Sequence, residues 1–377
     1  MVKEIYNGLL STGDKKADTR MRIVQIIDSL EAGGAERMAV NYANALSSTI
    51  SFSALVSSRK EGSLKQFINQ NVHYLFLNKK RTIDFGAVLR LRRFCITNNI
   101  NFVHAHSSSY FLAMLVKLSY PKLQIIWHDH NGMSEFLSSR ESVILRFSSY
   151  FFKGIIVVNH QLKNWAAAEL HCKKIIYLPN FTKKEENQTS ITALHGTPGK
   201  RILCLANLRV QKNHFMLIDI ADRVRVSHPE WTFHLVGKEF EDEYHAAVIK
   251  DIEDRNLQQH VFIYGSKSDT AAILTQSDIA ILSSSSEGLP VALLEYGLYE
   301  KPVVVTAVGE IPQIIVNGEN GLMVEPTDNE AFYAALVTLI EDPEKRQKFA
   351  TALYKTIMQN NSGITVISQY INWLKNL

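Results

Sequence analysis

Apolar residues along the chain fall into short runs, separated by longer segments in which apolar positions recur at helical spacing. In the first half the runs are 22–28, 51–56, 74–77, 102–106, 124–128, 155–159 and 175–179. Each run is nearly continuous rather than alternating with polar residues, which is typical of parallel strands buried on both faces. Segments such as 83–96 and 139–152 carry the helical spacing between them. The alternation predicts a doubly wound parallel sheet.

The pattern is interrupted once and then starts again. Residues 182–199 are polar, with Gly and Pro at their end and no periodicity, so they are predicted to be a linker. Beyond them apolar runs return at 201–206, 232–236, 261–264, 279–282, 303–306 and 322–324. The sequence therefore predicts an extension at 1–20, a Rossmann-like domain at 21–181 and a second one from residue 200. Because ligands of such sheets bind at the carboxyl ends of strands, we expect the site in the cleft between the domains.

Composition and cysteine usage narrow the class of protein. The chain has 377 residues, 46% hydrophobic and 21% charged, which fits two globular domains and not a disordered or fibrous protein. Cys95, Cys172 and Cys204 have no metal or disulfide spacing and are expected to be reduced core thiols. No segment has the roughly 18 unbroken apolar residues of a membrane span, and residues 1–20 lack a signal-peptide pattern. A cytoplasmic protein is predicted.

Charge is distributed unevenly between the two halves. Residues 21–180 contain 19 basic and 9 acidic residues, whereas residues 200–377 contain 16 and 23. A basic first domain suits anionic lipid or a phosphate-bearing acceptor, and the alternative is solvated charge plus attraction between the halves. Cations mixed with apolar residues at 79–81, 90–93 and 146–153 form a candidate membrane-facing surface, although an ordinary helix face has the same composition.

The most specific motif follows the apolar run 279–282 in the second domain. It contains two carboxylates eight residues apart across a predicted strand-to-helix turn: Ser286-Glu287-Gly288-Leu289-Pro290, then Glu295. Pro290 is expected in the first turn of the helix. A carboxylate can accept two hydrogen bonds from vicinal hydroxyls of a sugar or ribose, and Gly288 lets backbone approach a ligand closely. The N–H groups at the helix start can bind phosphate.

Two further motifs follow the first strand of each domain. In the second domain, Asn207 is followed by Arg209 and Lys212, two cations that can bind a pyrophosphate and stabilise a leaving nucleoside diphosphate. Cations are mildly unfavourable at a helix start, so an anion there would explain them. In the first domain, Gly33 and Gly34 open a predicted helix and let backbone amides approach a phosphate or a sugar. The alternative for this loop is a flexible strand-to-helix connection.

These three motifs together resemble family 4 glycosyltransferases. The first resembles the family's E-x7-E signature, and Gly-Gly-Ala-Glu at 33–36 resembles its acceptor-domain loop. The stretch 206–213 resembles the pattern G-R-L-x-x-x-K-N, with Asn207 where glycine is usual and the arginine displaced by one position. The resemblance extends over residues 21–377 and is densest at 201–325.

The resemblance implies the α/β GT-B architecture, with two Rossmann-like domains facing across a cleft. It implies a donor domain at 200–357 and a last helix at 358–377, with Tyr370 and Trp373, that crosses back to the first domain. It also implies retention at the anomeric carbon, a UDP-sugar or GDP-sugar as cosubstrate, and neither a cofactor nor a catalytic metal. Under this hypothesis Arg209 and Lys212 neutralise the pyrophosphate, Glu295 holds the ribose, and Glu287 holds the transferred sugar.

Histidines at two strand ends are the remaining candidates for chemistry. By the resemblance, His128 or else His130 contacts the donor sugar, and Asp129 could orient either ring. We expect His104 and His106 to project to opposite faces of their strand, and no fourth ligand is evident, so no metal site is predicted. Backbone groups at Tyr264 and Gly265 are candidates to hold the base, although plain turn chemistry explains them as well.

The sequence thus predicts a transferase acting on a glycan or lipid-linked glycan, as in bacterial surface-polysaccharide or lipopolysaccharide assembly. The protein would be peripheral at the inner membrane face, with no nucleic-acid partner. One alternative is a non-catalytic GT-B protein that binds a nucleotide sugar. The other is a GT-B phosphorylase or epimerase.

Overall fold

The computed structural model describes residues 18–131, 137, 140, 142–184 and 191–377, with side chains from Met21 onwards. All seven predicted runs of the first half form parallel strands of one sheet, in the order β3-β2-β1-β4-β5-β6-β7. These strands are β1 Asp18–Ser29, β2 Ile50–Lys60, β3 His73–Phe76, β4 Phe102–His106, β5 Gln124–Asp129, β6 Phe152–Val157 and β7 Ile175–Tyr177.

The second half repeats this architecture with six parallel strands, in the order β10-β9-β8-β11-β12-β13. They are β8 Arg201–Leu205, β9 Thr232–Val236, β10 Val261–Ile263, β11 Ile279–Leu282, β12 Val303–Thr306 and β13 Leu322–Val324. Strands β9, β11 and β12 are buried along their whole length, as their uninterrupted apolar runs require. The prediction of two doubly wound domains is confirmed.

Helices connect the strands and cover both faces of each sheet. The first sheet carries α1 Gly34–Ser47, α2 Phe85–Thr97, α3 Tyr110–Ser119, α4 Val143–Ser148 and α5 His160–Glu169. The second carries α6 His214–Ser227, α7 Glu243–Asp254, α8 Thr270–Gln276, α9 Val291–Leu298, α10 Ile311–Ile314, α11 Asn329–Glu341 and α12 Pro343–Asn360, and the chain ends in α13 Gly363–Lys375. No helix in these ranges is long and apolar enough to cross a bilayer.

The strand order places a crevice beside the first strand of each sheet. β1 lies between β2 and β4, and β8 lies between β9 and β11, so the chain leaves neighbouring strands in opposite directions there. The loops that follow such strands separate and open a ligand site at their carboxyl ends. The motif after β8 and the motif after β11 therefore meet at one point.

The final helix, α13, lies on the first sheet rather than on the second. Val366, Tyr370 and Leu374 are buried in one apolar cluster with Met38 and Tyr42 of α1. This packing returns the chain from the second sheet to the first and ties the two halves together.

Residues 191–199, from the predicted linker, are anchored to the second half of the chain. The backbone N–H groups of Ile191 and Thr192 both donate to the Asp269 carboxylate, at 2.8 and 2.6 Å. The Arg201 guanidinium donates to the carbonyls of Leu194 and His195, at 2.8 and 2.9 Å. The remaining linker residues 185–190, like residues 1–17, lie outside the described part.

Gly154 in β6 allows α13 to approach the sheet. A Cβ atom at this position would lie 2.5 Å from Cη2 of Trp373, well inside contact distance. We therefore expect Gly154→Ala to lower the free energy of unfolding by about 1–3 kcal/mol, the usual cost of overpacking. Chemical denaturation measures this difference. Gly34→Ala is the control, because nothing lies within 4 Å of a Cβ there; equal stability of the two variants would contradict the packing argument.

Candidate functional site

The loops after β8 and β11 are joined by backbone hydrogen bonds. After β8 the chain makes a 3₁₀ turn at Val210–Lys212 and then Asn213, in the left-handed region with φ 51°, leads into α6. The Ser283 hydroxyl donates to the Lys212 carbonyl at 2.9 Å, and the Ser285 N–H donates to the Gln211 carbonyl at 2.8 Å. The serine run thus fixes the conformation of the loop that carries the predicted cations.

Lys212 and Glu287, 75 residues apart in the sequence, form an ion pair at this point. The Lys212 ammonium donates to Oε1 of Glu287, and the Ser284 hydroxyl donates to the same oxygen at 2.7 Å. Glu287 is only 5% exposed. A pair buried to this extent is screened by salt less than a surface pair.

Gly309 holds the Glu287–Gly288 backbone in place from the neighbouring strand end. Its φ is +56°, and a Cβ atom would lie 2.2 Å from the Glu287 carbonyl oxygen, so only glycine fits. The Glu310 N–H donates to the Gly288 carbonyl at 2.9 Å. Gly309 and Glu310 thus support the backbone of the motif.

The same loop contacts the first domain directly. The Asn180 amide donates to the Leu289 carbonyl at 2.7 Å. Glu310 accepts a hydrogen bond at 3.0 Å from the N–H of His160, the first residue of α5. A carboxylate is favourable at a helix N-terminus, so Glu310, which follows β12, fastens the second domain to α5 of the first domain.

The other predicted members of the motif lie around this loop. Ser286, Leu289 and Pro290 are buried, and α9 begins at Val291, so Pro290 occupies its N-cap position and not the first turn. Glu295 is partly buried in the second turn of α9. The structure thus carries Glu287 on the loop and Glu295 on the helix, as the sequence predicted.

Arg209 lies on an aromatic platform that the sequence did not indicate. Its guanidinium stacks 4.0 Å from the ring centroid of Phe240, and the Lys238 ammonium lies 5.2 Å from the same ring. Asn207 accepts a hydrogen bond at 2.8 Å from the Lys238 N–H. Lys238 follows Gly237 at the end of β9, and this position at a strand end was the signal that could have revealed it.

The Gly33-Gly34 loop faces this cationic group from the other domain. Gly33 is the N-cap of α1, and the helix begins at Gly34 as predicted. The neighbouring Glu31 carboxylate binds the Lys238 ammonium at 2.8 Å and the Lys60 ammonium at 3.3 Å. This bridge across the cleft places the Gly33-Gly34 loop opposite Lys238 and the neighbouring Arg209.

Some of the hydrogen-bonding groups of Tyr264 and Gly265 are used in contacts within the protein. The Tyr264 N–H donates to the Leu235 carbonyl at 3.0 Å, and the Gly265 carbonyl accepts from the Gly237 N–H at 3.1 Å. The Tyr264 hydroxyl bonds to the His195 N–H and to the His234 ring. The Tyr264 carbonyl and the Gly265 N–H are the backbone groups that these bonds leave for a ligand.

The expectation that His104 and His106 project to opposite faces is wrong. Residues two apart in a strand share a face, and the two rings stack with centroids 4.3 Å apart. His128 and His130 lie on the same side, with centroids 3.9 Å apart. Four imidazoles therefore form one layer between the sheet and helices α1 and α13, beside Tyr42.

Hydrogen bonds order this layer into two pairs. His104 Nε2 is 3.1 Å from His128 Nδ1, and His106 Nδ1 is 2.9 Å from His130 Nε2. His106 Nε2 is also 2.8 Å from Oε1 of Gln25, which accepts, so His106 carries its proton on Nε2 and accepts from His130. In the pair of His106 and His130, His130 uses its Nε2, so its Nδ1 does not contact His106.

Burial keeps all four rings neutral. It lowers the pKa of His130 to about 3 and lowers the pKa values of the other three well below the usual range. Asp129 does not orient either ring, because its carboxylate accepts two hydrogen bonds from the Arg140 guanidinium, at 2.6 and 3.1 Å. His128 is 1% exposed, whereas His130 is partly exposed beyond the end of β5.

Three of these histidines lie close enough together that they could in principle bind one metal ion. One ring nitrogen from each of His104, His106 and His128 lies within 4.8 Å of the other two. One nitrogen of His104 and one of His128 are joined to each other, and His106 is bonded to His130, whereas His104 Nδ1 and His128 Nε2 have no partner among the described residues. The rings of His104 and His106 are nearly parallel, at 18°. In-plane lone pairs of parallel rings converge poorly on one ion, so this geometry suits a hydrogen-bonded layer better.

Comparison with known proteins agrees with this geometry. Residues 185–356 match the model described as "Glycosyl transferases group 1", and residues 32–186 match that described as "Glycosyltransferase Family 4". The Erwinia amylovora amylovoran biosynthesis glycosyltransferase AmsD is 24% identical over 244 residues, 64% of this chain and 68% of its own. The Escherichia coli UDP-Gal:alpha-D-GlcNAc-diphosphoundecaprenol alpha-1,3-galactosyltransferase is 23% identical over 314 residues, 75% and 79% of the two chains.

Solved structures show the same fold. Anabaena Alr3699/HepE in complex with UDP and glucose has a TM-score of 0.78 at 18% identity, covering 95% of this chain and 100% of that one. TarM has a TM-score of 0.77 at 12% identity, covering 96% and 99%. The two family models adjoin at the boundary between the two sheets and together span residues 32–356. The chain therefore belongs to the family 4 glycosyltransferases, nucleotide-sugar-dependent enzymes of the GT-B fold.

Proposed function

We propose that this enzyme transfers a sugar, with retention, from a UDP-sugar or GDP-sugar to a glycan or lipid-linked glycan in bacterial surface-polysaccharide assembly. The observation that carries the proposal is the buried contact of Lys212 with Glu287 at the crevice beside β8 and β11. It offers one cation and one carboxylate where a phosphate and a sugar would meet. The names of the Erwinia and Escherichia relatives support an acceptor of the glycan or lipid-linked glycan class. The complexes of HepE with UDP support a donor whose nucleotide is UDP.

The roles follow from charge and position. Lys212 and Arg209 neutralise the pyrophosphate, with Arg209 held over Phe240. Glu287 accepts hydrogen bonds from the transferred sugar, the Gly288 amide assists it, and Glu295 holds the ribose. Since no carboxylate is placed as a nucleophile by this assignment, the leaving phosphate takes the proton from the acceptor hydroxyl.

His130, rather than His128, is the histidine that we assign to the donor sugar. It lies at the end of β5, and the carbonyl of the next residue, Asn131, would be 3.8 Å from a Cβ atom on Gly288. His128 lies one step deeper, hydrogen-bonded to His104. A neutral His130 whose Nε2–H is directed to His106 presents Nδ1 as an acceptor for a sugar hydroxyl.

The enzyme would act at the inner face of the membrane as a peripheral cytoplasmic protein. Helix α4 and the turn after it expose Val143, Ile144, Phe147 and Tyr150. Arg146 and Lys153 lie in the same segment, and cations beside exposed apolar side chains favour contact with anionic bilayers.

Loss of either donor-side cation should abolish most transfer. We expect Arg209→Ala and Lys212→Ala each to lower kcat by about 10²–10³, the usual effect of removing one transition-state charge stabiliser. Both should also remove the rise in melting temperature that UDP or GDP gives to the wild type.

Lys200→Ala is the matched control, because Lys200 pairs with Glu230 on the surface before β8 begins. Transfer assays and thermal shifts on the three variants test whether Arg209 and Lys212 bind the pyrophosphate. Wild-type turnover in both Arg209→Ala and Lys212→Ala would refute the phosphate assignment.

His130→Ala and His128→Ala should fail in different ways. We expect His130→Ala to lower kcat about 100-fold, since it removes a contact to the donor sugar. It should also lower the free energy of unfolding by about 1–3 kcal/mol, because Nδ1 of the buried His106 loses its partner. The rate of the folded enzyme is therefore the measurement that separates the two variants. His128→Ala should lower the free energy of unfolding by about 1–3 kcal/mol, because it leaves His104 buried without its partner. Kinetics and denaturation on the same preparations test this. A kinetic defect confined to His128→Ala would reverse the assignment.

Transfer should not require a divalent metal. Lys212 and Arg209 supply the positive charge that a metal would otherwise supply to the leaving diphosphate. We expect dialysis against EDTA, followed by assay in metal-free buffer, to leave the rate within about twofold, a change of under ~0.5 kcal/mol. A rate restored only by added Mg²⁺ or Mn²⁺ would show this part of the proposal to be incorrect.

A further inference from the structure

Gln25 is a polar side chain inside a buried apolar strand. It lies in β1 between Ile23 and Ile27, which share its face of the sheet, and all three residues are at most 2% exposed. Moving an amide out of water is unfavourable unless it forms hydrogen bonds, and an aliphatic side chain would fill the position without that cost. Packing alone therefore does not explain a glutamine here.

The amide of Gln25 forms a hydrogen bond at one end only. Its Oε1 lies 2.8 Å from Nε2 of His106, whereas its Nε2 has no partner among the described residues. A carbonyl oxygen can only accept, so His106 carries its hydrogen on Nε2 and has a lone pair on Nδ1. Gln25 thus selects one of the two neutral tautomers of His106.

The selection passes from His106 to His130. Nδ1 of His106 lies 2.9 Å from Nε2 of His130. Because Nδ1 of His106 can only accept, His130 donates from Nε2, and its own Nδ1 has the lone pair. The orientation of one amide in β1 therefore determines whether the ring at the end of β5 offers a ligand an acceptor or a donor.

This chain of three side chains transmits the positions of hydrogens and not a charge. Burial lowers the pKa of His130 to about 3 and the pKa of His106 well below its usual range. Both rings are therefore neutral near pH 7, and each has one donor and one acceptor nitrogen. A general acid or base has to change its protonation state during the reaction, whereas these rings only orient a hydrogen bond.

An acceptor at His130 is the favourable arrangement beside a reacting sugar. A sugar hydroxyl can either donate or accept, so the tautomer of the ring decides which of the two it does. A hydroxyl that donates to Nδ1 gains electron density on its oxygen. That density stabilises the positive charge that develops on the sugar ring as the bond to the leaving diphosphate breaks. A ring that donated to the hydroxyl would have the opposite effect.

We propose that Gln25 is a positioning residue of the transferase, which acts through His106 to keep Nδ1 of His130 an acceptor for a hydroxyl of the donor sugar. The inference rests on the proposed function, in which His130 contacts that sugar, and adds to it the group that fixes the tautomer of the ring. Gln25 itself is fully buried and acts only through the two histidines.

The direct test is the tautomer of His130 in the full-length protein. Long-range proton–nitrogen correlation spectra of protein labelled with ¹⁵N-histidine distinguish ring nitrogens that carry hydrogen from those that do not. The His130→Ala variant identifies the His130 signals by their absence. We expect hydrogen on Nε2 of His130 in the wild type. Hydrogen on Nδ1 of His130 in the wild type would overturn the proposal.

The variant Gln25→Leu should reverse this tautomer. Leucine cannot accept, so a hydrogen on Nε2 of His106 would be buried without a partner, which is costly. We expect His106 to carry its hydrogen on Nδ1 instead and to donate to His130, whose own hydrogen then lies on Nδ1. The same spectra measure this change. An unchanged tautomer of His130 in Gln25→Leu would contradict the proposal.

Kinetics show whether the tautomer matters for transfer. We expect Gln25→Leu to lower kcat about tenfold and to change KM by less than about twofold, because the contact strengthens as charge develops in the transition state. Ser53→Ala is the matched control, since it removes a buried hydrogen bond of 2.7 Å between β2 and α1, outside the chain from Gln25 to His130. It should lower stability and keep the kcat of the wild type. Equal kcat in the two variants would overturn the proposal.

Failure of this inference is distinguishable from failure of the proposed function. If His130→Ala is slow while Gln25→Leu keeps the kcat of the wild type, the contact with the donor sugar stands and only the positioning role is overturned. If His130→Ala keeps the kcat of the wild type, the contact with the donor sugar is itself wrong.

A separate measurement shows that Gln25→Leu is folded. The rise in melting temperature with UDP or GDP depends on Arg209 and Lys212, so it should persist in this variant. The spectrum of the wild type requires no change at Gln25, and it decides the proposal even if Gln25→Leu does not fold.

Discussion

The contact between Lys212 and Glu287 depends on the reversal of strand order in the second sheet, and the functional site depends on that contact. β8 and β11 are neighbours in the sheet, although 73 residues separate the end of β8 from the start of β11. Hydrogen bonds from Ser283 and Ser285 join the loops that follow these two strands. Because the loops are joined, the Lys212 ammonium reaches the Glu287 carboxylate. A buried charge that lost this partner would be left uncompensated, so loss of either Lys212 or Glu287 would destabilise the site.

The same loop also joins the two halves of the enzyme. Leu289 accepts from Asn180, Gly288 accepts from Glu310, and Glu310 in turn binds the first residue of α5. Helix α13 adds an apolar contact on the far side of the first sheet. Donor-side backbone and acceptor-side helix are therefore positioned by one network, which is what transfer between two bound substrates requires.

The first domain contains an unusual polar layer within an apolar fold. Four neutral histidines lie beneath α1 and α13, and their hydrogen bonds fix the tautomer of the outermost ring. This layer opposes stability, because polar groups are moved out of water, and buried titratable groups of this kind are common at functional sites.

The sequence by itself determined the strands, their repetition in two domains and the motifs that face the cleft. These are local properties: an uninterrupted apolar run specifies a buried parallel strand, and Glu287, Glu295, Arg209 and Lys212 are recognisable from their spacing. Only the tertiary structure decided which side chains meet. The pairing of Lys212 with Glu287, the place of Lys238 and Phe240, and the shared face of the histidines join residues distant in sequence. The order of the strands in each sheet determines which side chains are buried and which are hydrogen-bonded to each other. No local pattern in the sequence encodes that order.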